Sequence, residues 1–299
     1  MPDQKITNVI AAFDKIKTTP EVRRIAGFNT KWKTDAYHMQ GMARHDNYYF
    51  FTHNDIGNDG ALIYVADITK NDYNNTIKTN TGRFNHPGGC QIVDNYLITA
   101  SQEHTFLTSK YEDTQLALFD ISDPSRSRKK VLWENEKISC MAAAMTRIQD
   151  NQNNTIYFVM AYESGTKFHF FSCHIPGTID KSSIQKITLK SPDSFKGYAA
   201  QEGKNIQNFN LISDNENRIY MVEFATSGSD NYLYLSLIEW DGATNQSIMV
   251  STPLSYKKLS MQENASFDYG AGLYCNNEKI SVFACGRNSV NGMLIVNEF

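Results

Sequence analysis

The sequence predicts an all-β chain folded as a five-bladed β-propeller. Three observations predict it: an Asn- or Asp-rich turn recurs five times, a β-branched and aromatic segment follows each turn, and the last repeat lacks an outer strand. The turns are Asp46-Asn47, Asp94-Asn95, Asp150-Asn151, Asp214-Asn215 and Asn276-Asn277, at spacings of 48, 56, 64 and 62 residues. Each joins two apolar segments, as in consecutive hairpins.

Taken in order, the first element is a helix. Ile6, Val9, Ile10, Phe13 and Ile16 recur at helical spacing after Asp3, so residues 4–17 are expected to dock an apolar stripe on the ring, within an N-terminal extension over 1–20. Second strands follow the turns: Tyr48 to Thr52, Tyr96 to Ala100, Ile156 to Ala161, Ile219 to Phe224 and Ile280 to Cys285. Third strands are Ala61 to Ile68, Gln115 to Ile121, Lys167 to Ile175, Tyr232 to Trp240 and Met293 to Phe299. Tyr232-Leu-Tyr-Leu-Ser-Leu shows the alternation of a strand. Outer strands are weaker: Thr76 to Thr79, Lys130 to Trp133, Ile184 to Leu189 and Ile248 to Leu254.

A ring of four-stranded sheets has to close, and Glu21 to Phe28 is the segment left to complete the last one. Residues 21–299 then form one propeller domain. A pair of β-sandwiches would also show many short strands, but a repeated unit with the same turn chemistry favours the ring.

Composition narrows the function classes. A formal charge of -3 supplies no basic footprint for a nucleic-acid backbone, and the run Arg126-Ser-Arg-Lys-Lys130 follows Asp-Pro as a solvated turn. No stretch approaches the roughly 20 apolar residues of a membrane span. Met-Pro-Asp-Gln-Lys opens the chain without an apolar leader, which indicates a cytoplasmic protein unless a signal peptide has been removed. Five cysteines, Cys90, Cys140, Cys173, Cys275 and Cys285, show no C-x-x-C spacing and are expected to be buried thiols. The sequence has no G-x-S-x-G, P-loop or G-x-G-x-x-G.

Chemistry is expected where inner strands begin, because a propeller gathers those starts around one channel mouth. His38-Met-Gln-Gly41 and His86-Pro-Gly-Gly89 open the first two repeats, each with a Tyr ten residues on, Tyr48 and Tyr96. Counted back by the same interval, the later repeats place Ala142, Ile206 and Asp268 there, so the fold does not demand the histidines. Gly41, Gly89, Gly270 and Gly272 suit a narrow throat. The expected ligand wall is His38, Gln40, His86, Glu103, Asn208, Asp268 and Tyr269. Glu103 of that wall is expected, with His53, Asn54, Asp55, His104, Glu163 and Arg287, in the loops after the second strands, and Trp32, Tyr37, Phe84, Tyr162, Phe195 and Tyr198 are further aromatic candidates.

Those groups suit a small polar ligand, a saccharide or metabolite, bound without a cofactor. An enzyme reading makes the chain a hydrolase or lyase with His38, His86 or Glu103 as general acid and base. A metal ion in the channel would need His38 or His86 to converge with Glu103, Asp268 or His53, since no local ligand motif is present. A protein-interaction platform is the remaining alternative.

Tyr37-His-Met-Gln-Gly, His86-Pro-Gly-Gly-Cys-Gln, Asn208-Phe-Asn-Leu and Phe267-Asp-Tyr-Gly-Ala-Gly-Leu-Tyr resemble the repeats of a group of bacterial five-bladed propeller proteins, over nearly the whole chain after residue 30. That resemblance implies architecture and no particular activity. In architecture the chain is more distantly similar to the five-bladed tachylectins and glycosidases. It lacks the near-identical repeats of the first and the matched set of three inner-strand acids of the second, so neither activity carries over.

Overall fold

The computed structural model describes residues 6–28, 38–55, 60–78, 83–105, 110–123, 127–149, 152–163, 167–174, 184–187, 195–240, 249–276 and 278–299. Among them the chain forms helix α1 (Val9–Asp14) and strand β1 (Glu21–Ile25), then five successive antiparallel units. Blade 1 is β2 (Met39–His45), β3 (Tyr48–Asp55), β4 (Gly60–Asp67) and β5 (Asp72–Lys78). Blade 2 is β6 (His86–Val93), β7 (Tyr96–Thr105), β8 (Lys110–Asp120) and β9 (Arg128–Asn135). Blade 3 is β10 (Cys140–Gln149), β11 (Thr155–Glu163), β12 (Phe168–His174) and β13 (Ile184–Ile187). Helix α2 (Tyr198–Gln201) leads into blade 4: β14 (Asn205–Ser213), β15 (Ile219–Ser227), β16 (Asp230–Trp240) and β17 (Met249–Leu259). Blade 5 is β18 (Ala265–Asn276), β19 (Lys279–Gly286) and β20 (Leu294–Glu298), completed by β1.

The inner strands close a circle: β2 packs on β6, β6 on β10, β10 on β14, β14 on β18, and β18 on β2. Between β6 and β10 the approach is close enough for a parallel bridge, Ala142 to Gly89. The throat tolerates little bulk. A Cβ on Gly272 would fall inside the envelope of the Met42 carbonyl oxygen, and one on Gly89 would meet the Asn208 side chain and the Ala142 methyl.

Strand sequence explains how one sheet buries both faces. Tyr49 and Phe51 face blade 5, while Phe50 between them faces blade 2, so an unbroken aromatic run serves two seams. The described residues form five apolar clusters, one at each junction of neighbouring blades. Asp46 and Asp94 hold left-handed conformations in the first two hairpin turns (φ 49° and 53°), which a short polar side chain tolerates.

Closure follows the expected route. Strand β1 pairs antiparallel with β20 from Glu21↔Glu298 to Ile25↔Leu294. Glu298 accepts hydrogen bonds from Arg23 Nε (2.9 Å), Arg44 Nη1 (3.1 Å) and Tyr49 Oη (2.9 Å), so one carboxylate ties β1, β2, β3 and β20 together. The helix is shorter than residues 4–17, and Ile10, expected in its apolar stripe, is exposed. Val9, Phe13 and Ile16 instead fill the seam between blades 4 and 5. Thr7 joins that strap, accepting from Asn215 Nδ2 (3.0 Å) and donating to Glu278 through Oγ1 (2.6 Å). No helix among the described residues is long and apolar enough to cross a membrane.

Second strands run further than the sequence indicates. His53 and Asn54 lie within β3 and Glu103 within β7 rather than in loops. His53 and Asn54 are buried, so no change to exposed polar residues separates them from the apolar run before them.

Candidate functional site

The channel below its mouth is filled by amide side chains. Asn210 Nδ2 donates to the Cys90 carbonyl (3.1 Å) while its Oδ1 accepts from Leu273 N (2.8 Å). Gln91 Nε2 donates to Leu211 O (2.7 Å), and its Oε1 accepts from Leu211 N (2.9 Å) and Met145 N (3.3 Å). Asn208 Nδ2 donates to Ala271 O (2.5 Å). These bonds satisfy buried polar atoms by crosslinking β6, β10, β14 and β18, which makes the amides a plug.

Above the plug lies a cavity of about 430 Å³, lined by His38, Gln40, His86, Gln102, Ser139, Met141 and Gln207. Four blades contribute. Their side chains reach it because each inner strand slips register against its second strand near the start, at Met39/Gly41, Pro87/Cys90, Cys140/Ala142, Ile206/Asn208 and Ser266/Ala271. A bulge leaves its extra residue unpaired and re-aims it. Gln40, Met141 and Gln207 are such residues, and all three line the cavity.

Gln40 organises the histidines. Its Nε2 lies 2.6 Å from His38 Nε2 and 3.1 Å from His86 Nε2, and the two ring centroids are 6.4 Å apart. With the amide donating one proton to each ring, both Nε2 atoms act as acceptors and each neutral imidazole carries its proton on Nδ1. His38 is fixed further by its main chain, whose N–H donates to Asn54 Oδ1 (2.7 Å). On the opposite side Gln102 Nε2 donates to Ser139 Oγ (2.6 Å).

Among the described residues no carboxylate, lysine or arginine lines this cavity. His53 stays neutral nearby, its pKa lowered to about 3 by burial and then by His38. The described cysteines are all buried, and burial pushes Cys275 and Cys285 up to about 12, away from thiolate chemistry. Among the described residues no group of three or more His, Cys, Asp or Glu is placed to hold a metal ion.

The expected wall is therefore divided. His38, Gln40 and His86 come together in the cavity. Glu103 accepts from Arg83 Nε (2.6 Å), in a cluster where Arg83 also meets Asp113 and Glu136. Asn208 belongs to the plug. Asp268 accepts from Thr226 Oγ1 (2.5 Å), and Tyr269 faces the Arg287 guanidinium at 5.9 Å, both in the bulge of β18. Glu163 Oε2 accepts from His169 Nε2 (2.9 Å), beside Trp133 of blade 2. Phe195 and Tyr162 are buried in the seam between blades 3 and 4. Trp32 and Tyr37 lie outside the described residues, as do the side chains of Asp55 and His104.

Gln102, Ser139, Met141 and Gln207 escaped the sequence reading. Ala142 bridges to Gly89 rather than sitting level with His86, so an equal count back from the turn misplaces blade 3. Counting three residues back from the bridge pairs His86 with Ser139, a signal available only once the register is known.

No protein-family model matches the sequence, and no curated protein matches it. Solved structures with a similar chain path include an exo-β-1,3-galactanase from Clostridium thermocellum, at 11% identity and a TM-score of 0.49 over 92% of this chain and 61% of that one. This chain thus spans less than two thirds of that protein. A GH43 endo-arabinanase from Bacillus licheniformis is 10% identical, with a TM-score of 0.49 over 89% of this chain and 95% of that one. A GH62 hydrolase in complex with xylotriose is 8% identical, with a TM-score of 0.49 over 92% and 94%. These identities are too low to transfer residue roles.

Proposed function

We propose that the protein binds a small, uncharged, hydroxyl-rich ligand of the saccharide class in the mouth cavity. The observation that carries this reading is the chemistry of the wall: two imidazoles, three carboxamides and a hydroxyl, with no formal charge among them. A sugar hydroxyl both donates and accepts, and a carboxamide offers both functions side by side. An anion or an ammonium group would lose its hydration and find no counter-ion among these residues. The volume of about 430 Å³ suits a monosaccharide or disaccharide.

A hydrolase or lyase is the second reading, favoured by the two imidazoles held within reach of one bound molecule. Two-carboxylate glycoside hydrolysis places acids on both sides of the bond, roughly 5–10 Å apart, and the described residues of this wall include none. The acid and base would then be His38 and His86. Titration calorimetry with neutral hexose and pentose mono- and disaccharides tests binding: saturable heat is expected for the wild type and its loss for the His38→Ala/His86→Ala variant. Equal affinity in the two proteins would remove the assignment. Product release with a bell-shaped pH profile, abolished by either single substitution, would select the enzyme.

A further inference from the structure

Glu223 is fully buried in β15, opposite Phe209 of β14 and Tyr234 of β16. Its Oε2 accepts from Ala199 N of α2 (3.2 Å), whereas Oε1 has no hydrogen-bond partner among the described residues. Helix α2 lies across all four strands of blade 4, starting at Gly197, where a Cβ would collide with Glu223 Oε1. No side chain caps it, so the carboxyl beneath supplies the acceptor that its first turn lacks. Tyr198 packs edge-on against Tyr234 at 4.9 Å, and Lys204 N donates to Ala199 O (2.9 Å) just before β14 begins. Three residues further along is Gln207, in the cavity wall.

We propose that Glu223 is a proton-controlled latch: its neutral carboxyl holds α2 down on blade 4, and its ionisation releases α2 and loosens the Gln207 wall of the mouth. A buried carboxylate without a cation is unstable, and α2 is an element whose backbone lies directly against this one. Among the described residues the surrounding titratable and charged groups are Lys196, Tyr198, Glu202 and Lys204 on the α2 segment, Tyr232 and Tyr234 on β16, Tyr256 and Lys258 on β17, and Tyr162 on β11 of the facing blade 3. Strand β14 and the facing blade 3 present Phe209, Phe168 and Phe170. Tyr234 is pushed up to about 12 by burial and then by Glu202, so it stays neutral throughout the relevant range. Burial raises Glu223 from 4.5 to about 8, against the smaller lowering effect of the Ala199 and Tyr198 N–H groups.

The sign follows by linkage. The closed state keeps its proton up to about pH 8 while the open state releases it near 4.5, so closure is fully favoured in acid and weakens as pH rises between those values. Hydrogen exchange of residues 198–207, divided by the rate of the unstructured peptide, tests the latch without any ligand. Opening is expected to rise about tenfold per pH unit from about pH 5 and to level off near pH 8. In Glu223→Gln the same amides should open with no dependence on pH. A flat wild-type profile overturns the proposal even if the variant does not fold, and so does a sloped profile that persists in the variant.

Discussion

His38 and His86, the first residues of two neighbouring inner-strand repeats, turn their Nε2 atoms toward one carboxamide nitrogen, at 2.6 Å and 3.1 Å. One side chain therefore sets the tautomer of both rings. Gln40→Leu should leave the fold intact and weaken saccharide binding by roughly tenfold, the equivalent of one or two hydrogen bonds of about 1 kcal/mol. Calorimetry gives the affinity, and imidazole nitrogen shifts should move in both histidines. An unchanged affinity with unchanged shifts would mean that Gln40 does not organise the pair.

The amide plug is a stability element. Asn210→Leu strips partners from the Cys90 carbonyl and the Leu273 N–H. Two buried orphaned groups should lower unfolding free energy by roughly 2–4 kcal/mol. Urea denaturation measures it, and a loss below the scatter of the method would show that water replaces the amide.

Phe13 is the anchor of the N-terminal strap, wholly buried between blades 4 and 5. Phe13→Ala should destabilise by about 3–5 kcal/mol. The Ile10→Ala control, at an exposed position on the same helix, should change stability little. Equal effects would mean that the helix does not dock through this face.

His53 gives stability an acid limb. Its folded pKa is about 3 against an ordinary 6.5, so the unfolded chain takes up the proton first. The contribution is fully present above about pH 6.5 and is lost as pH falls toward about 3, at up to ~1.4 kcal/mol per unit. Unfolding free energies between those limits should slope less in His53→Gln, and parallel slopes would assign the limb to other groups.

The repeat and its closure were legible because turn chemistry and strand alternation are local. Asp46 and Asp94 sit in the expected turns, and β1 completes the sheet that lacked an outer strand. Four of the seven lining residues were not legible, and for Met141 and Gln207 the reason is that bulges break the two-residue period that points a side chain inward or outward. Gln207 looks like any strand residue until the slip between Ile206 and Asn208 is known. Glu223 is hidden for a related reason: within Ile219-Tyr-Met-Val-Glu-Phe every position is buried, so a buried acid has no exposed neighbours to contrast with.

The pairing of Glu21 with Glu298 also sets a timetable for biosynthesis. Arg23 and Glu298 are 275 residues apart in the chain, so β1 emerges from the ribosome early and finds its partner only after four blades have been made. Until then its edge is available to any other strand, in the same chain or a neighbouring one. Contacts this distant slow folding. The strap formed by α1 cannot dock early either, since the seam it fills belongs to blades 4 and 5. Ring closure is thus a late step, and expression at low temperature or with chaperones that shield strand edges should raise the yield of folded protein.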